Sequence, residues 1–236
     1  PPYPPPAISS AASVVYKRQV FVSVYVVPQI CEVVHSYGGI VLNDIISNRQ
    51  AKKSVEGGVD GLIAVAAGAG GHTGNISPFA LVSEIREWWD GPLALSGCIA
   101  TGQNILAALA TGADLAYIGS PFIATKEANA VADYKAMIVD GSAKDIITTD
   151  AFSGVPANFL VGSVERAGLD PKSLKRDADK AIDVSETSQS FNTWKDIWGC
   201  GQGINAVKNI VPTAELVARL SREYEAARRT FLDRIG

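Results

Sequence analysis

Gly61-Leu62-Ile63-Ala64-Val65-Ala66-Ala67-Gly68-Ala69-Gly70-Gly71-His72-Thr73-Gly74 is an apolar run that breaks into glycines around a single histidine. Its first half has no polar alternation, so it reads as a strand covered on both faces, the mark of a parallel sheet with helices packed outside it. The glycines that follow permit positive φ and let backbone N–H groups approach a ligand closely. His72 then falls at the carboxyl end of a parallel strand, the end where α/β folds place their ligands. On pattern alone the stretch suits a flexible surface loop as well as a site. The flanking chain has to decide between them.

Outward from this stretch the same unit recurs. A glycine at a helix end, then Gly-x-Asp, then an apolar strand is found at Gly58-Val59-Asp60 and again at Gly112-Ala113-Asp114. Five strands are predicted, at 20–27, 40–46, 61–67, 92–96 and 114–118. Helices are predicted between them: around Ile30 to Val34, after a Ser47 cap, from Ile76 to Asp90, and from Gln103 to Ala110. Parallel strands joined by right-handed helical crossovers are the economical explanation, so the fold class is α/β.

The organisation around these repeats is uneven. Residues 1–19 open with Pro1-Pro2-Tyr3-Pro4-Pro5-Pro6 and read as an irregular arm. Residues 20–140 hold the βα repeats. Residues 141–198 are polar, with only short apolar pieces such as Phe159-Leu160-Val161, and read as a mostly helical excursion lying over the site. Residues 199–236 begin with a second glycine cluster, Gly199-Cys200-Gly201-Gln202-Gly203. They end in an amphipathic helix with Leu216, Leu220, Tyr224, Ala227 and Phe231 on one stripe.

Composition narrows the function. A formal net charge of −3 gives no electrostatic case for nucleic acid or an anionic membrane surface. Three widely spaced cysteines, Cys31, Cys98 and Cys200, form no metal-ligand pattern and suit a reducing cytoplasm. No run reaches the length of a membrane span, and Pro1 to Ser10 lacks the basic start and apolar middle of a signal peptide. The two histidines lie far apart with no acidic cluster beside either, which argues against a metal site; His35 is expected at a helix C-terminus.

Three predicted strand ends carry similar chemistry: Gly70-Gly71-His72, Ser96-Gly97 and Gly119-Ser120. In a barrel all parallel strands present their carboxyl ends on one face, and loops after the last strands often hold a phosphate. Backbone N–H groups at Gly97, Gly119 and Ser120, with the Ser120 hydroxyl, suit a phosphate without a lysine.

These residues also carry a family resemblance. Ala69-Gly70-Gly71-His72-Thr73-Gly74, Leu95-Ser96-Gly97 with Ile99, and Gly112-Ala113-Asp114 through Gly119-Ser120-Pro121-Phe122-Ile123-Ala124-Thr125-Lys126-Glu127-Ala128 resemble the nitronate monooxygenase family, formerly called 2-nitropropane dioxygenase. Trp198-Gly199-Cys200-Gly201-Gln202-Gly203 is similar to that family's C-terminal glycine-glutamine motif. The resemblance covers roughly residues 20–235 and implies a TIM barrel that binds FMN. It places Gly70 and Gly71 along the flavin, Gly97, Gly119 and Ser120 at its phosphate, Ser96 and Gln202 among the cofactor contacts, and His72 at the substrate as base or hydrogen-bond donor. The implied reaction takes an alkyl nitronate and O2 to a carbonyl compound and nitrite.

Two departures qualify it. Five strands cannot close an eight-stranded barrel, so either the sequence is expected to lack the first barrel strands or residues 1–19 take their place. Asp44 stands where some relatives carry a lysine near the flavin phosphate, and a carboxylate there is expected to bond elsewhere or to face substrate. Two other functions stay open: an NAD(P)H-dependent FMN reductase of quinones or enoyl thioesters, and a non-catalytic truncated barrel acting as a binding protein. An open sheet edge is prone to pair with a second copy, so a homodimer is among the expected assemblies.

Overall fold

The computed structural model describes residues 19–22, 28–174 and 195–235. Within it, β1 (Gln19–Val22), β2 (Ile40–Ile45), β3 (Gly61–Val65), β5 (Leu93–Ser96) and β6 (Leu115–Tyr117) form one parallel sheet, ordered β1-β2-β3-β5-β6. Each expected strand coincides with one of these; residues 23–27 of the first lie outside the described residues. The crossovers are α1 (Pro28–Ser36), α2 (Asn48–Glu56), α3 (Pro78–Arg86) and α4 (Gly102–Ala110).

The repeated Gly-x-Asp has a structural meaning that its spacing alone does not reveal. Asp60 accepts a hydrogen bond from the Val41 N–H at 2.7 Å, and its own N–H donates to the Val41 carbonyl at 2.9 Å. Asp114 repeats this one crossover later, accepting from Leu93 N–H at 2.8 Å and donating to Leu93 O at 2.8 Å. Each aspartate therefore pins the start of its own strand to its neighbour and sets the register. The spare carboxylate capacity takes a second side-chain partner: His35 Nε2, in the last turn of α1, lies 2.8 Å from Asp60, and the Arg86 guanidinium lies 2.7 Å from Asp114. The glycine two residues before each aspartate, Gly58 at φ +89° and Gly112 at φ +107°, makes the left-handed exit from the preceding helix.

Register also sorts the strand side chains. Asn43, Leu62 and Leu93 share one row, and Ile45, Ala64, Leu95 and Ala116 another. The apolar members of these rows pack on Ala51, Leu81, Val82, Ile85 and Ala108 of the helices, which makes the main core. The opposite face carries Asp44, Ile63, Ala94 and Leu115 in one row and Val65, Ser96 and Tyr117 in the next. Helices start where small polar side chains cap them: Ser47 accepts from Gln50 N–H and Thr101 from Asn104 N–H. Helix α3 stops at Arg86, short of the expected Asp90, and the Arg86 guanidinium reaches forward to the carbonyls of Trp89 and Gly91 beyond the helix end.

The expectation of a mostly helical excursion over 141–198 needs correction in its described part. It holds β7 (Ile146–Thr149), β8 (Ala157–Leu160) and the short α7 (Val161–Arg166). β8 lies between β7 and β4 (Gly71–His72) in a three-stranded antiparallel sheet, order β4-β8-β7. Ile146-Ile147-Thr148-Thr149 is β-branched throughout and favours an extended, half-buried backbone, a local signal that the polarity of the whole stretch obscured. Residues 175–194 of the excursion lie outside the described residues.

Two more helices follow the sheet, α5 (Ser120–Ile123) and α6 (Ala132–Asp140), and α8 (Thr213–Ile235) closes the described chain. Leu216 and Leu220 of α8 are buried, whereas Phe231 at the end of the expected stripe is 49% exposed, because the helix outruns the body it packs on. Its contact with α4 is close: a Cβ at Gly102 would sit 2.0 Å from Tyr224 N, and the Glu223 carboxylate accepts the Gly102 N–H at 2.9 Å. Among the described residues no helix is long and apolar enough to cross a membrane.

Replacing Asp114 with Ala is expected to cost about 1–3 kcal/mol, because the Leu93 N–H and the Arg86 guanidinium lose their shared acceptor. Chemical denaturation reads this directly. Asp114→Asn, which keeps the acceptor oxygen, should lose less.

Candidate active site

The strand-end glycines meet. Gly68, Gly70, Ser96, Gly97, Gly119 and Ser120 line one cleft over the carboxyl ends of β3, β5 and β6, and Gly201 and Gly203 close it from the C-terminal segment. Sequence separates these groups by up to about 130 residues; the parallel sheet brings the first three together and the second glycine cluster is carried back onto them.

Most of these glycines are required by that return. A Cβ at Gly70 would lie 2.7 Å from Gly201 N, one at Gly201 would lie 2.9 Å from Gly68 O, and one at Gly203 would lie 2.9 Å from Cys98 O. Two backbones run against each other with no room for side chains. Polar groups are paired across the seam: Gln202 N–H donates to Gly68 O at 2.9 Å, Gly201 N–H to Ser120 Oγ at 2.9 Å, and the buried Asn158 amide to Ala69 O at 2.6 Å. Cys200, buried beneath, has its thiol pushed up to about 11 by burial, so it stays a neutral S–H. Gly119 differs, since a Cβ there would meet nothing within 4 Å. Its bare backbone faces open space in the cleft.

Gln202 lies at the edge of this seam, its Oε1 3.8 Å from Cys98 Sγ. Cys98 is a residue that sequence reasoning passed over. It has φ 58°, the one positive φ outside glycine among the described residues, and its thiol fills the space beside Gly68, where a Cβ would come within 2.1 Å of Sγ. Tyr117, also on the cleft wall, was missed too; its place one strand over from Ser96 was available from the strand spacing once the sheet was accepted. Asn158 gave no signal, because its partners are set only by the antiparallel sheet.

His72 does not line this cleft. It sits on β4, opposite Ala157 of β8, with Nε2 3.2 Å from Ser153 Oγ. The Ser153 hydroxyl donates to Val155 O at 3.0 Å, so its oxygen accepts from His72 and the proton rests on Nε2. Nδ1 is then the acceptor nitrogen. Desolvation lowers the His72 pKa below 6.5, so the imidazole is neutral at neutral pH. Gly71, at φ +69°, provides the turn that carries the chain from the cleft onto β4.

With this geometry in view, comparison with known proteins is decisive. The nitronate monooxygenase family profile matches residues 12–223. The chain belongs to that family. A nitronate monooxygenase of Paraburkholderia phytofirmans is 32% identical over 202 residues, covering 78% of this chain and 55% of the relative, so the chain spans about half that protein's length. A nitroalkane oxidase structure from Streptomyces ansochromogenes matches with TM-score 0.71 and 27% identity, covering 89% of this chain and 65% of that one. FabK from Thermotoga maritima matches with TM-score 0.74 over 92% of this chain and 71% of its own; at 22% identity this shows the fold. The fold is thus of TIM-barrel type, and the family is one of FMN-dependent oxidoreductases.

The cleft fits a phosphate-bearing flavin in one respect that can be read from its groups. The donors on its wall are neutral, backbone N–H groups and the Ser96 and Ser120 hydroxyls, and Gly119 leaves the space that a side chain would fill. Such backbone donors suit an anion without a lysine or arginine.

Cys98→Gly is expected to raise stability by roughly 1 kcal/mol by relieving the left-handed backbone. Gly68→Ala should cost more than that gain, since its methyl meets Sγ at 2.1 Å. A thermal melt of each variant and of the pair tests both, and Cys98→Gly should rescue Gly68→Ala if the clash is the cause.

Proposed function

We propose that this chain binds FMN in the cleft above β3, β5 and β6 and oxidises alkyl nitronates to a carbonyl compound and nitrite with O2. The observation that carries the reading is the meeting of Gly70, Gly97, Gly119, Ser96 and Ser120 on one wall, in a chain that matches the nitronate monooxygenase family over residues 12–223.

Each group has a role that its surroundings permit. Gly97, Gly119 and Ser120 hold the phosphate through backbone N–H groups and a hydroxyl; Ser96 stands beside them. Gly70 and Gly71 keep the strand-end backbone bare, so that the isoalloxazine approaches it closely. Gln202 holds the second glycine segment against the first through its N–H to Gly68 O. FMN, when bound, supplies the redox chemistry by taking up electrons from the substrate. His72, neutral and bonded to Ser153 through Nε2, stands on β4 beyond the cleft wall and in this reading serves the substrate as a base or hydrogen-bond donor. Asp44 lies on the same sheet face as the cleft rather than against the phosphate-holding glycines, in accord with a substrate-facing position.

His72→Ala is expected to keep FMN bound and to lose about a hundredfold or more of nitronate turnover. Flavin absorbance of the purified variant and oxygen consumption with ethyl nitronate test the two halves separately; unchanged turnover removes His72 from the reaction. Because the base form persists below the ordinary histidine value of 6.5, the acid limb of the wild-type rate profile should fall below that value and not at it. Rapid anaerobic bleaching of the flavin by NAD(P)H, with no nitronate turnover, would replace this reading by the reductase one.

A further inference from the structure

A second cavity, of about 450 Å³, adjoins the cleft and shares no lining residue with it. The same two elements contribute to both. Ser120 of α5 and Gly201 line the cleft, whereas Ile123, one turn further along α5, and Trp198, three residues before Gly201, line the cavity. Its volume falls in the range of small-molecule sites. The walls are mostly apolar, with Ile123, Val131, Tyr134 and Trp198, and they are firmly held. Tyr134 and Trp198 stack with centroids 4.9 Å apart, the Arg166 guanidinium lies 3.8 Å from the Trp198 ring, and the Tyr134 hydroxyl donates to Gly199 O. The Trp198 indole N–H donates to Lys195 O at 3.0 Å, which fixes the backbone of Lys195 at the rim. Of the lining residues Lys195 alone is charged, and among the described residues no carboxylate pairs with it.

We propose that this cavity is a second ligand site, for a small amphipathic carboxylate whose acyl chain fills the hollow and whose head group pairs with Lys195. An apolar hollow beside one unpaired ammonium is complementary to such a molecule. The chain gains by leaving water, and the charged head stays at the wet rim where the lysine meets it. A neutral apolar ligand would leave the lysine without a counter-charge, and a cationic one would be repelled by it. Asn129, also on the lining, supplies an uncharged amide beside the same mouth. The proposal stands on the cavity's own groups and is independent of what the cleft binds.

The test titrates decanoate into the whole chain, as purified, by calorimetry. Val131 is the N-cap of α6 and 59% exposed, so Val131→Asp puts a carboxylate at the rim in a position where aspartate favours helix entry. Lys195→Glu reverses the rim charge and leaves in place the carbonyl that accepts from Trp198. Phe79→Asp, at an apolar residue of α3 that is 67% exposed, is the control for adsorption elsewhere on the surface. The expected result is one decanoate per chain with equal affinity in wild type and Phe79→Asp, and binding weaker by about tenfold or more in Val131→Asp and in Lys195→Glu. Butyrate, with the same head group on a much shorter chain, should bind too weakly to detect. A wild-type chain that takes up no decanoate overturns the proposal, as does an affinity that neither rim variant lowers. Butyrate binding as tight as decanoate overturns it too, since the hollow would then play no part.

Discussion

Backbone-to-backbone packing of Gly68–Gly71 against Gly199–Gly203 is the contact on which the candidate site depends. The parallel sheet alone would leave the ends of β3, β5 and β6 as three separate turns. The returning segment converts them into a walled cleft, and it can do so only because Gly70 and Gly201 carry no side chain, since a Cβ at either would come within 3 Å of the other segment's backbone. The cost is the conformational freedom of glycine in the unfolded chain. Hydrogen bonds across the seam, from Gln202 to Gly68 and from Asn158 to Ala69, offset part of it and leave these buried backbone groups satisfied.

The antiparallel sheet has a different task. β4 begins one residue beyond the cleft, so the chain that builds the cleft wall also hands His72 to β8 and to the turn that holds Ser153. Proton location on the imidazole is thereby settled by a serine whose own proton is committed to Val155. The strand-end residues read from the sequence are consequently divided between two sheets: the parallel one carries the bare backbone and hydroxyls of the cleft, the antiparallel one carries the imidazole.

How much of this was legible can be argued residue by residue. The strands were readable because Ile63-Ala64-Val65 and Leu93-Ala94-Leu95 are apolar without alternation, and that pattern has few other uses in a soluble chain. The Gly-x-Asp repeat was visible, but its role was not. Nothing in its spacing says that Asp60 and Asp114 reach sideways to Val41 and Leu93, because that requires knowing which strand is the neighbour. Cys98 gives no signal in the sequence, since a residue type does not report its φ. In the excursion the bulk polarity of the stretch masks the short β-branched run at Ile146–Thr149, which forms a strand.

By itself the sequence determined the fold class, the strand order expected of consecutive βα units, the glycine and serine positions at the strand ends, and a resemblance that the family match bears out. These are properties of local pattern, and local pattern is what apolar periodicity and glycine placement encode. Only the tertiary structure decided which glycines face the cleft and which face another backbone, that His72 belongs to a second sheet, and that Tyr117 and Asp44 share a face with Ser96. Each of those depends on contacts between residues far apart in the chain, and burial, pairing and proton position follow from neighbours that sequence order does not name.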